Sequence, residues 1–201
     1  MVVRALLIVL LGAVALSCIW ILYWITRKTA AMPRDPLPAD VDWRTPRLAI
    51  RRATAGDADA LAASIDPDVM RAHGWFPKHR ARMVRQLRQN RSRTAVFVAC
   101  DHGTDDVVVF FDLSFAPQEL AGWHLGFWTT PDHRGRGYAT EALGAMAQVT
   151  HRAGVETLHL GTIEDNTAMQ SVIVNAGGVP LEPRQVRLPN GTTTSSLWFV
   201  L

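Results

Sequence analysis

Cysteine is scarce in this chain: only Cys18 and Cys100 occur among 201 residues. They stand in segments with no reason to meet, so no disulfide framework is implied. Cys18 invites a lipoprotein reading, but Ala15-Leu16-Ser17 is a poor processing site and the apolar run continues past it. Tyrosine is as rare, with Tyr23 and Tyr138 alone. Charge of one sign does not dominate: 21 Lys and Arg against 18 Asp and Glu leave a formal +3. That tilt suits a small anionic ligand without demanding nucleic acid, and no nucleic acid is expected. Internal repeats and low-complexity tracts are missing, and no metal site is expected. What remains is one domain of ordinary size with an apolar appendage, since 48% of residues are hydrophobic and 19% charged.

The appendage is N-terminal. From Ala5 to Thr26 no charged residue occurs, a run of 22 residues, enough to cross a hydrocarbon core of about 30 Å. A cleavable signal peptide needs a shorter apolar core, whereas Ile19 through Ile25 carries this one on. Trp20, Tyr23 and Trp24 cluster near one end, where amphipathic rings prefer the interface. Arg4 precedes the span, while Arg27, Lys28 and Arg34 follow it, which places the rest of the chain in the cytoplasm. Residues 1–30 are therefore expected to be a transmembrane anchor. Residues 31–46, with Pro33, Pro36, Pro38 and Pro46, are expected to be an extended linker of roughly 40–50 Å at most. A folded domain should occupy 47–201.

Within that domain Arg47–Arg51 alternates as a strand, and Thr54 or Asp57 can cap a helix with Ala58, Leu61 and Ala62 on one face. Asp66-Pro67 breaks that pattern, and a second helical stretch runs to His73-Gly74-Trp75-Phe76-Pro77. Residues 78–93 hold seven basic side chains and no acidic one, with Met83, Val84 and Leu87 as a thin apolar stripe. They form either a solvated surface helix or one that adheres to anionic lipid beside the anchor. Thr94–Cys100 and Val107–Phe115 suit a hairpin, Trp123–Thr129 a further strand, and Thr157–Thr162 another. Between the last two, a helix from about Thr140 places Ala142, Leu143, Met146, Val149 and Ala153 on one face, and Gly154 can end it. A short helix at Thr167–Asn175 and strands at Val179–Leu181 and Ser195–Leu201 complete the chain. Strands first, then alternating helix and strand, predicts a mixed α/β sheet with helices on both faces.

The stretch with the most chemistry is His133-Arg134-Gly135-Arg136-Gly137-Tyr138-Ala139-Thr140-Glu141-Ala142-Leu143, between strand and helix. Its glycines let successive N–H groups turn toward one point, and the helix adds unpaired donors and the positive end of its dipole. Arg134 and Arg136 add full charges. The result is a cradle for a phosphate-bearing ligand. It is neither the G-x-G-x-x-G dinucleotide fingerprint nor a Walker loop, because the third glycine and the Gly-Lys-Ser/Thr are both missing.

Arg134, Gly137 and Ala139 fit the Q/R-x-x-G-x-G/A signature, so from Leu48 onward the chain resembles the GNAT acetyltransferase superfamily. Leu125-Gly126-Phe127-Trp128-Thr129-Thr130-Pro131 before the cradle, with Glu164-Asp165-Asn166-Thr167 and Asn175-Ala176-Gly177-Gly178 after it, is similar to the branch of ribosomal-protein N-terminal acetyltransferases. The resemblance implies a mostly antiparallel sheet that splays between the family's fourth and fifth strands. It implies acetyl-CoA as acyl donor, its arm along the main chain of Phe127, Trp128 and Thr129. Its diphosphate would lie on the backbone N–H groups of Gly135, Arg136, Gly137, Tyr138 and Ala139, with Arg134 beside them. Asn166 stands where the family's Asn contacts the cofactor or orders the site, although capping the next helix would also explain it. Trp75 and Phe76 then belong to the acceptor side, as pocket residues or as ordinary packing.

Acetyl transfer to an amine needs a proton acceptor. The branch often carries Glu where this chain has His124, and an imidazole can serve that role at neutral pH. His124 and Asn166 are the expected catalytic residues, with a structural histidine as the alternative for His124. The departures are Ile173 or Val174 where many members place a Tyr that protonates the leaving thiol, and Met169 where a Ser is expected. The expected activity is acetyl-CoA-dependent N-acetylation of a primary amine at the cytoplasmic membrane face. The rivals are a non-catalytic acyl-CoA-binding or partner-recruiting module, and transfer of a longer acyl chain.

Overall fold

The computed structural model describes residue 33 and residues 35–89, 94–116 and 120–201. The expected transmembrane anchor at 1–30 lies outside the described residues, as do residues 90–93 of the basic segment. Among the described residues no helix is long and apolar enough to cross a membrane.

Eight strands build one mixed sheet: β1 (Asp42–Arg44), β2 (Leu48–Arg52), β3 (Ala95–Asp101), β4 (Val107–Ala116), β5 (Gly122–Thr129), β6 (Leu158–Ile163), β7 (Val179–Arg187) and β8 (Thr193–Val200). Their spatial order is β1-β2-β3-β4-β5-β6-β8-β7. All neighbours are antiparallel except β5 and β6, which run parallel and pair only at Trp123 with Leu158 and His124 with His159. Past His124 the β6-facing edge of β5 has no strand partner.

Among the described residues five helices accompany the sheet: α1 (Ala58–Ser64), α2 (Pro67–Ala72), α3 (Pro77–Arg88), α4 (Tyr138–Arg152) and α5 (Thr167–Asn175). They divide between the two faces, because alternate strand residues point to opposite sides. On one side Leu113, Leu125, Phe127, Leu158 and Leu160 pack against Ala142, Leu143, Met146 and Val149 of α4 and Ile173 of α5. On the other, Val98, Phe110 and Trp128 pack against Leu61, Val69, Val84 and Leu87 of α1, α2 and α3. The apolar spacing along α4 and α3 thus corresponds to the buried faces. Asp66 caps α2 by accepting the Val69 N–H at 2.9 Å, and Pro67 occupies the first turn where no donor is missed.

From Asp35 onward the Pro-rich stretch is packed onto the folded unit rather than extended from it. Leu37 and Val41 are buried in the main core, β1 pairs with β2, and Arg52 donates to the carbonyls of Leu37 and Pro38. Two apolar side chains, a short strand pairing and the Arg52 bonds hold it down. Strand β7 runs to Arg187, beyond the expected Leu181. Its outer half, Glu182–Arg187, is mostly exposed at the sheet edge, so it carries little of the apolar alternation that marks a half-buried strand.

Candidate active site

A cavity of about 520 Å³ opens where β5 and β6 part. Phe127, Trp128 and Thr129 of β5 line it, together with His133, Arg134, Gly135, Gly137, Tyr138, Ala139 and Thr140 of the loop and first turn of α4. Asn166, Met169 and Val172 close one side, and Asp68, Arg71 and His73 at α2 the other. Of the residues expected to hold a cofactor, all but Arg136 line this cavity.

The loop has the conformation its glycines allow. Gly135 and Gly137 have φ of 73° and 76°, in the left-handed region that costs other residues about 1–2 kcal/mol. Where a Cβ of Gly135 would stand there is open space within 4 Å. Gly137 is the N-cap of α4, so the N–H groups of Tyr138, Ala139 and Thr140 belong to the turn that has no intrahelical acceptor. Unpaired donors, a positive helix end and space above them fit a diphosphate.

The arginines contribute less than expected. Arg134 Nη1 is 2.8 Å from Asp66 Oδ2 and 3.7 Å from Asp68 Oδ2, so its charge is largely matched by α2. Arg136 is exposed and does not line the cavity. An anion on this loop would therefore meet main-chain donors more than guanidinium charge. Opposing it, burial alone would raise the carboxyl of Asp66, but the Arg134 and Val69 hydrogen bonds outweigh burial and hold it below the usual range.

Tyr138 is committed elsewhere. Its hydroxyl donates to Asp101 Oδ2 at 2.5 Å and Arg47 lies 4.6 Å over its ring. The Asp101 bond raises the Tyr138 pKa and lowers that of Asp101. On α5, Ile173 is buried and Val174 exposed, so among the described residues no phenol faces the cavity from that helix. Asn166 caps α5, its Oδ1 accepting the Met169 N–H at 3.2 Å, while also lining the cavity. Both of its expected roles therefore have a place in the geometry.

His124 lies on the opposite face of β5 from Phe127, outside the cavity lining. Its Nε2 is 2.7 Å from the Leu120 carbonyl, so Nε2 donates and Nδ1 is the basic nitrogen of the neutral ring. Its ring is 5.3 Å from His159 and 5.5 Å from Trp198. Burial, with the neighbouring His124, draws the His159 pKa down. Trp75 sits in an aromatic group with His73 at 4.3 Å and Trp128 at 5.7 Å, whereas Phe76 is exposed.

The sequence singles out neither Thr45 and Arg47, which grip Glu141 at the start of α4, nor, within the helical pair that the resemblance sets beside the cleft, Asp68 and Arg71 of α2 and His73 at its C-cap. No local signal marks them, since each reaches the site through tertiary contact. Asp66-Pro67 did carry a helix-start signal, but not its partner.

The sequence profile described as "Acetyltransferase (GNAT) domain" matches residues 47–179. No curated protein matches the chain. Among solved structures, a GNAT-family acetyltransferase from Bacillus anthracis superimposes with a TM-score of 0.66 at 18% identity, covering 80% of this chain and 98% of that one. A protein from Vibrio cholerae, provisionally described as a ribosomal-protein-serine acetyltransferase, gives 0.65 at 22% identity over 82% and 99%. A ribosomal L7/L12 alpha-N-protein acetyltransferase in complex with coenzyme A gives 0.65 at 14% identity over 80% and 97%. At these identities the likeness is one of fold. The profile spans most of the chain. The chain belongs to the GNAT acetyltransferase family, enzymes that take acetyl-CoA as acyl donor.

Proposed function

We propose that this enzyme transfers the acetyl group of acetyl-CoA to a primary amine at the cytoplasmic face of a membrane. The observation that carries the reading is the opening between β5 and β6, floored by a strand edge without a partner and ended by a left-handed glycine loop. Bound acetyl-CoA supplies an acyl group already activated as a thioester. The N–H groups from Gly135 to Ala139 hold the diphosphate, and main-chain groups of Phe127 to Thr129 orient the arm as an added strand would be oriented. Asn166 fixes the start of α5 against it. His124, outside the cavity lining, receives the amine's proton at Nδ1 through water, because its Nε2–H is already committed to Leu120, and the departing thiolate takes its proton from solvent.

A protein N-terminus is the acceptor class favoured by the resemblance to ribosomal-protein acetyltransferases and by structural neighbours of that description; lysine and small amines are the other classes. Membrane placement is supported by the uncharged run from Ala5 to Thr26 and the basic residues that follow it. Incubating the full-length chain with acetyl-CoA and a panel of amine-bearing peptides and small amines, and measuring released thiol, tests the activity. Release that depends on the amine supports transfer; coenzyme A binding without release favours a non-catalytic module. Protease in the external medium of intact cells should leave the domain uncut, and cleavage there would reverse the orientation.

A further inference from the structure

On the sheet face that carries α1, α2 and α3, residues of β4 and β5 stand in facing pairs: Phe110 with Trp128, Asp112 with Gly126, Ser114 with His124. The middle pair is unlike the others. Asp112 brings a carboxylate and Gly126 brings no side chain. A Cβ at Gly126 would collide with Asp112 Oδ1 and stand 3.1 Å from its Cγ. The carboxyl therefore lies on the bare backbone of β5, two residues past the point where pairing with β6 stops.

Little around Asp112 answers its charge. Val96 faces it on β3 and Gly126 on β5, and the one titratable group that its ionisation responds to is His73, at the end of α2. Burial draws His73 toward its neutral form, and its Nδ1 donates to the Val69 carbonyl at 2.9 Å. Burial likewise pushes the Asp112 carboxyl up, with its own backbone N–H as the sole hydrogen-bonding influence on it. A carboxylate drawn part-way out of water with so little compensation is costly unless a cation joins it. Yet Asp112 is only half-buried, so solvent reaches it.

The surroundings suit an organic cation. His73, Trp75 and Trp128 form an aromatic wall, with His73 4.3 Å from Trp75 and Trp75 5.7 Å from Trp128. Beside it Gly74 closes on the β7–β8 turn, so tightly that a Cβ there would come 2.5 Å from Leu188 Cβ. His73 and Trp128 also line the cofactor cavity, so the two regions share a wall.

We propose that Asp112 is the seat of the acceptor's ammonium group, with His73, Trp75 and Trp128 holding the apolar stem that bears it. This rests on the N-acetyl-transfer reading and adds the residue that selects a cationic primary amine. Asp112 acts by binding and orienting; the ammonium displaces any proton on the carboxyl to solvent.

The test is calorimetric titration of the full-length chain, with and without coenzyme A, using phenethylamine and the uncharged phenethyl alcohol as probes. The amine should bind saturably and the alcohol at least about tenfold more weakly, as expected for a charge pair formed at a desolvated site. Asp112→Asn should erase that preference and leave coenzyme A affinity unchanged; Asp112→Ser gives the same readout if the Asn variant does not fold. Equal binding of the two probes, no binding of the amine, or a preference that survives in the folded variant overturns the proposal. Failure of the wild-type chain to bind coenzyme A would strike the underlying reading instead, and the comparison without coenzyme A would still decide Asp112.

Discussion

Arg47 Nε stands 2.6 Å from Glu141 Oε2 and joins the β1–β2 turn to the first turn of α4. The same carboxylate accepts the Arg47 N–H at 3.0 Å and the Thr45 hydroxyl at 2.5 Å, while Arg47 Nη1 donates to the Arg136 carbonyl at 3.0 Å. The outer side of the glycine loop is thus pinned by a residue 89 positions earlier. Glu141 does more than complement a helix dipole: it holds the first turn of α4 to the β1–β2 turn.

Burial alone would raise the Glu141 carboxyl, but the bonds from Thr45 and Arg47 outweigh it and hold the group below its usual range. A carboxyl lowered on folding contributes stability above its unfolded value, about 4.3, and loses it as pH falls through the lower folded one. Glu141→Gln should cost about 1–3 kcal/mol at neutral pH and weaken coenzyme A binding several-fold. Denaturant titration should show the gap between variant and wild type closing as the medium is acidified below that range.

Asp57 makes a second such pair with Arg51, at 2.8 Å through both oxygens, and also accepts the Thr54 N–H at 2.7 Å. Burial opposes ionisation there, yet the Arg51 and Thr54 bonds prevail and the carboxyl stays below its ordinary range. The side chain is 8% exposed. Because Arg51 is 38% exposed and screened by solvent, losing the pair should cost about 1–3 kcal/mol. Asp57→Asn should lower stability at pH 7 without touching cofactor affinity, since neither residue lines the cavity. A matching loss of coenzyme A binding would contradict that separation.

Backbone conformation at the loop should matter more than its charge. Gly137→Ala places a Cβ at φ 76°, a strain of about 1–2 kcal/mol, at the N-cap of the helix that supplies the donors. It should weaken coenzyme A affinity about tenfold, whereas Arg136→Ala, on an exposed side chain, should change it about twofold or less. Calorimetry on both variants checks the ranking, and the reverse order would mean that guanidinium charge carries the site.

Asn166→Ala removes the α5 cap, a loss of about 1 kcal/mol. Because the same side chain lines the cavity, coenzyme A affinity should fall as well. A stability loss with unchanged affinity would leave Asn166 as a cap only.

The loop, α4 and α5 were legible in the sequence because each rests on local chemistry. Gly135 and Gly137 sit where positive φ is needed, Ala142, Leu143, Met146 and Val149 keep helical spacing, and Asn166 opens a helix. What was not legible depends on register and long-range contact. Asp112 is one polar residue in an apolar strand until the β4–β5 register sets it against Gly126. Arg134 looked like free charge until α2 brought Asp66 within 2.8 Å. Leu37 and Val41 looked like part of a linker until the core closed over them.

On the proposed function, main-chain donors of the loop from Gly135 to Ala139 hold the diphosphate of coenzyme A. Calorimetric titration of the folded full-length chain with coenzyme A tests it most directly. One saturable site, weakened by Gly137→Ala and nearly indifferent to Arg136→Ala, is the predicted result; no detectable binding by the folded wild-type chain would contradict it.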